Sequence, residues 1–85
     1  MKVVFSLEEE DGSIKKENDL SFDLDASHIM ALFNCNEVFY PKKQGSTLFD
    51  ESQGIWSDSI AGEIKEAYYN LNRAIPELNI LIMKK

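Results

Sequence analysis

The chain's 85 residues, 9.7 kDa in all, suffice for one hydrophobic core and are too few for two. A composition that is 44% hydrophobic and 11% aromatic excludes a disordered tail. Fifteen Asp and Glu against nine Lys and Arg, a formal charge of −6, exclude a general binder of nucleic acid or anionic membrane, since both need a basic footprint.

In chain order, Lys2 to Leu7 is rich in β-branched and aromatic residues and reads as a strand, and Asp11-Gly12 after it is a turn signal, so a hairpin is expected. Across the turn, Leu20, Phe22 and Leu24 alternate with Ser21, Asp23 and Asp25, the period of a half-buried strand. The polar stretch from Lys15 to Asp19 suits a strand continuation, a bulge or a second loop. Asp25 or Ser27 is a cap for a short helix with Ala26, Ile29, Met30 and Phe33 at helical spacing, ending in the turn-prone Asn34, Cys35 and Asn36. Val38, Phe39 and Tyr40 read as a short strand stopped by Pro41. With Thr47, Leu48 and Phe49 they suggest a second hairpin around Lys42 to Gly45.

From Ser57 or Asp58 onward, Ile60, Ile64, Ala67, Tyr68, Leu71 and Ile75 follow a 3.6-residue period. Polar residues occupy the other positions, which predicts an amphipathic helix closed by Pro76. The apolar run around Ile80 to Met83 lacks alternation and reads as a central strand covered on both faces. The expected fold class is therefore α+β: a two-layer sandwich, with a mainly antiparallel sheet, an N-terminal hairpin and two helices on one face. Without its first strand the order is βαββαβ, as in the ferredoxin-like fold, and residues 1–85 form one domain. The single cysteine, Cys35, points to the cytoplasm. No apolar run approaches a signal peptide or a membrane span, and with its initial Met the chain reads as a complete small gene product.

Charge is distributed unevenly. Residues 8 to 25 hold Glu8, Glu9, Glu10, Asp11, Glu17, Asp19, Asp23 and Asp25 against only Lys15 and Lys16, an excess equal to that of the whole chain. A hairpin carrying these carboxylates either steers a basic partner onto its surface or is a solvated, edge-protecting element. Adjacent carboxylates do not converge on one ion and do not match an EF-hand loop, so no metal is expected. A second candidate contact region mixes Phe49, Ile55 and Trp56 with Asp50, Glu51 and Asp58, in the manner of an aromatic anchor ringed by polar groups. Phe49 and Ile55 are expected in the core, while Trp56 is either core or contact. On the expected long helix Tyr68 falls in the apolar stripe and Tyr69 on its border, as a shoulder or a contact residue.

His28 and Cys35 have no orienting partner at a spacing suited to nucleophilic catalysis; Cys35 reads as a small buried residue near a helix end. Gly45 and Gly54 belong to no phosphate loop. The expectation is a non-enzymatic, cofactor-free module that binds a basic protein and inhibits or neutralises it. Glu8, Glu9, Glu10, Asp11, Asp19, Asp23, Asp50, Glu51, Trp56 and Tyr69 are its expected partner-binding residues. Direct contact with nucleic acid or membrane is not expected. Immunity proteins, antitoxins and anti-defence inhibitors resemble this chain in size and charge, although no motif here identifies such a family. The alternative is a homodimeric structural or accessory subunit joined through an exposed strand edge or the Val38 to Tyr40 hairpin.

Overall fold

A computed structural model of the chain describes residues 1–41, 49–50, 55–56 and 59–85, with backbone alone for the two short pieces. The first strand, β1 (Lys2–Glu8), buries Val3, Phe5 and Leu7 on one face, as its alternation requires. Gly12 takes φ 86° in the turn that follows, a conformation open to glycine, and its N–H donates to the Glu9 carbonyl at 2.9 Å. The chain comes back through a bridge between Glu8 and Ile14 and a 3-10 turn at Lys16–Asn18 before β2 (Leu20–Asp23) pairs antiparallel to β1. The expected hairpin is therefore present, and its polar middle is a loop with one tight turn.

The helix α1 (Ala26–Asn34) starts where the Asp25 carboxylate accepts from the His28 amide at 2.9 Å. Ile29 and Leu32 face the core, whereas Met30 and Phe33 are exposed; the stripe is narrower than the spacing suggests. Next, β3 (Val38–Pro41) pairs with a distant strand, and Phe49 does not pair with it. Thr47 and Leu48 lie outside the described residues, and β4 (Phe49–Asp50) pairs with β5 (Ile55–Trp56) as a separate two-stranded ribbon.

The long amphipathic helix is not formed. Residues Ser59–Asn70 are a 12-residue strand, β6, pairing with β3 through its first residues and with β7 (Glu77–Lys84) through the rest. A register shift between Ile64 and Glu66 explains the misleading period. Before this bulge Ile60, Gly62 and Ile64 share a face. After it Ala67 and Tyr69 take over that face, so a two-residue period with one inserted residue imitates the spacing i, i+4, i+7. The adjacent tyrosines also suit a strand better than a helix.

The sheet order is β2-β1-β7-β6-β3, with β1 and β7 parallel and the other neighbours antiparallel. β7 is central, as its apolar run predicts. Among the described residues the architecture is thus a mostly β, five-stranded mixed sheet bent into a half-barrel with one helix, which overturns the two-layer sandwich with two helices. Val3, Phe5, Leu7, Tyr40, Ile80 and Ile82 form the core inside the curve, with α1 packed on it through Ile29 and Leu32. Gly62 lets β6 and β7 close on each other: a Cβ there would stand 2.6 Å from Ile82 Cγ2 and 2.8 Å from the Met83 carbonyl oxygen. No helix of the described residues is long and apolar enough to cross a membrane.

Candidate functional site

The acidic stretch holds most of its charge in contacts within the chain. Lys65 donates to both carboxylate oxygens of Glu8, at 2.9 and 2.8 Å, and Lys84 reaches Glu9 at 2.8 Å. These hydrogen bonds hold both ammonium groups above their ordinary range, against some desolvation. Asp11 accepts from the Ser13 hydroxyl at 2.6 Å and the Ser13 amide at 3.0 Å, which lowers its pKa. The N-terminal ammonium takes Asp23 at 2.7 Å. Asp25 is lowered first by the His28 amide and then by the Ser27 hydroxyl, the bonds of a helix cap. Glu10 and Glu17 are exposed, and Asp19 is partly buried with an Oδ1 that accepts no hydrogen bond from the described residues. Lys15 and Lys84 also line the shallow hollow formed by Glu9, Glu10 and Asp11, so this end of the molecule is mixed in charge.

The described members of the expected contact set do not converge on one surface. Glu8 to Asp11 lie at the C-terminal end of β1. Asp23 pairs with Lys2 at its other end, about 20 Å away at 3.3 Å per residue. Tyr69 pairs with Leu78 toward that far end and is exposed; Tyr68, expected in an apolar stripe, is exposed too. Asp50 and Trp56 are described as backbone of the β4–β5 ribbon, so the expectations for Phe49, Ile55 and Trp56 side chains, like those for Glu51 and Asp58, fall outside the description. Cys35 is exposed and not a buried filler; its thiol donates to the Leu32 carbonyl at 3.0 Å, capping the end of α1. The His28 ring lies 3.3 Å from Asp25 at the opposite end of that helix, well removed from the thiol. No group of three or more His, Cys, Asp and Glu gathers among the described residues as a metal site would.

A different region is the most apolar concavity formed by the described residues. Between the two outer strands, β2 and β3, runs a groove of about 220 Å³ lined by Leu20, Phe22, Leu32, Val38, Phe39 and Tyr40. Phe39 is 69% exposed and Phe22 49% exposed, and Phe22 stands edge-on to Phe5 with ring centres 5.9 Å apart. Tyr40 crosses the groove floor: its hydroxyl donates toward the Asn18 carbonyl at 2.7 Å and lies 3.1 Å from that of Phe5. Burial and then the Asp19 carboxylate push the Tyr40 hydroxyl far above the usual tyrosine range, against the Leu20 amide, so it remains a donor. This one side chain fixes β3 to the opposite wall. Phe22, Phe39 and Tyr40 were missed as a site by sequence reasoning; the available signal was an uncharged strand ending in proline, a residue confined to sheet edges.

Comparison with protein-family models, with curated proteins and with solved structures finds no match to this chain.

Proposed function

We propose that the protein is a non-catalytic binding module for a basic protein partner, holding it as an inhibitor does that covers a phosphate-binding surface. The supporting observation is the apolar groove with its exposed aromatic lining, Phe22 and Phe39, on a chain whose Glu10 and Glu17 are exposed. Buried aromatic anchors supply slow dissociation, and carboxylates in the rim supply selection and speed of encounter. Most of the other carboxylates in the acidic stretch are already engaged inside the chain, so steering falls to Glu10, Glu17 and Asp19, and less to Glu8 and Glu9.

The test is retention of a partner from the native host on the immobilised chain at low salt and its release at high salt. Replacing Glu10, Glu17 and Asp19 together by Ser is expected to slow association of that partner at low ionic strength and to leave the rate at high ionic strength unaltered. An unchanged low-salt rate overturns the steering role.

A further inference from the structure

We propose that the chain forms a two-fold symmetric dimer in which the C-terminal half of β6 pairs antiparallel with the same segment of a second copy, Tyr68 opposite Tyr68. This goes beyond the reading of the chain as a module for a basic protein and does not rest on it.

The edge in question opens where β6 loses its outer neighbour. β3 pairs with Ser59 to Gly62 only, and from Glu63 onward β6 pairs, among the described residues, with β7 alone. The chain outside the description leaves the sheet after Pro41 and has returned to it by Ser59. Tyr68 lies nine positions further along β6, roughly 27 Å at 3.3 Å per residue with the bulge discounted, so this edge does not continue into it. Lys65 and the bulge guard the first part of the edge, as such devices do, but Ala67, Tyr68, Tyr69 and Asn70 carry no charge. More than half of each of Tyr68, Tyr69, Leu71 and Ile75 is exposed, four large apolar side chains on this strand and the turn after it.

A second copy fits because the edge is complementary to itself. A two-fold contact pairs residue i with j and j with i, so one register decides every pair. With Tyr68 opposite its copy, Ala67 meets Tyr69, a small residue against a large one on the inner face. Glu66 meets Asn70 on the outer face, an acceptor against an amide donor. The same register carries Arg73 to the level of Glu63 in the other copy. There Glu63 and Glu37 border a hollow of about 340 Å³ beside Phe33, Val38 and Ile64, which the second copy's Leu71 and Ile75 reach. Within its own chain Arg73 stands 3.6 Å from Glu77 with its side chain mostly exposed, so it is placed to share a second carboxylate. Pairing Glu66 with its own copy would set like charges directly opposite, which disfavours that register.

Net charge does not oppose the contact. Each copy carries −6, but Glu8 stands level with Met83, four ladder positions from Asn79 beside Tyr68, and Glu9 to Asp11 lie beyond it. In an antiparallel pair these ends point away from each other and stand about 30 Å apart, several Debye lengths at physiological ionic strength. The eight exposed apolar side chains supply on the order of 800 Å². Two five-residue backbone edges and the Arg73–Glu63 pairs bring the buried area to about the 1,200 Å² of a stable interface.

The test is sedimentation equilibrium of the full chain from about 1 to about 500 µM, where a contact of this area is expected to give a dissociation constant on the order of tens of micromolar. Tyr68→Arg sets like charges opposite at the axis and is expected to raise that constant at least about thirtyfold, with unaltered circular dichroism because the residue is exposed. Arg73→Glu is expected to raise it about tenfold, and the double variant Glu63→Arg with Arg73→Glu to restore it. Inside one chain the two positions lie far apart along an extended strand, so rescue reports a contact between copies. Hydrogen exchange read by NMR is expected to slow at Ala67 to Asn70 as concentration rises. A monomer throughout the range overturns the dimer and leaves the basic-partner reading to its own test of salt-dependent retention. A dimer that Tyr68→Arg does not weaken, or a charge swap that restores nothing, overturns pairing through β6.

Discussion

Two stretches of this small chain carry opposite kinds of surface. Residues 8 to 25 hold an acidic excess equal to the chain's whole net charge, yet Glu8, Glu9, Asp11, Asp23 and Asp25 each have a partner inside the chain. Val38 to Pro41 carries no charge at all, and it leaves a phenylalanine in solvent beside an apolar groove. Formal charge thus overstates the potential an acidic segment offers a partner, because each internal ion pair or capping bond uses part of it locally. An uncharged strand offers more than its composition suggests, because among the described residues its outer side has no ladder partner and Phe39 stands in solvent.

The sharpest way to break this comparison is at the residue that links the two stretches. Tyr40 is buried, and its hydroxyl serves the carbonyls of Asn18, in the acidic stretch, and Phe5, in β1. Tyr40→Phe keeps the ring and leaves both carbonyls without that donor, which is expected to cost about 1–3 kcal/mol in urea unfolding. Because the folded-state pKa is raised above the ordinary value of 10.0, the wild type has its full stability below that pH and loses it as pH rises beyond it. The variant is expected to show a shallower alkaline decline. Equal stability of the two proteins at neutral pH would mean that Tyr40 is not what holds β3 to the far wall.

A smaller effect is expected from the acidic stretch itself. Asp11 and Asp25 have folded-state values below the ordinary 3.8, so their contribution is complete above that value and is lost as pH falls through the depressed ones. Thermal unfolding followed by circular dichroism is expected to show declining stability on acidification below about pH 4. Asp25→Ala, which removes the cap of α1, lowers stability at pH 7 and flattens that decline. An acid limb of unaltered steepness in the variant assigns the pH dependence to other carboxylates.

How much of this was legible in the sequence follows the range of the interactions. The Asp11-Gly12 turn, the Asp25 cap, the alternation of β1 and the central position of β7 are written in neighbouring residues, and local rules read them. The same rules failed at β6, where one inserted residue at the bulge turned a two-residue period into an apparent helical one; with that error the second helix and the layered sandwich went too. The neutralisation of Glu8 by Lys65 joins positions 57 apart, and the Tyr40 hydroxyl reaches residues 22 and 35 positions away. No local pattern encodes those distances, so the acidic stretch looked freer in sequence than it is. The groove depends on the same long-range closure, and for that reason Val38 to Tyr40 was read as one strand of a hairpin without its pocket.

The smallest expected change in stability is also the one that separates binding from folding. Phe39 is the most exposed aromatic residue of β3, so Phe39→Ser removes little buried area and is expected to change unfolding free energy by no more than about 0.5 kcal/mol. A residue that a strand needs for propensity alone would show a similar near-neutral effect, and stability by itself decides nothing about its role. The informative quantity is the ratio of effects: a near-neutral change in folding beside a large loss of partner affinity marks a side chain kept in solvent for contact. A destabilisation comparable to that of Tyr40→Phe marks Phe39 instead as part of the wall that keeps the half-barrel open. In that case the contrast between a tied-down acidic stretch and an available edge no longer holds, because both stretches would be occupied with holding the fold.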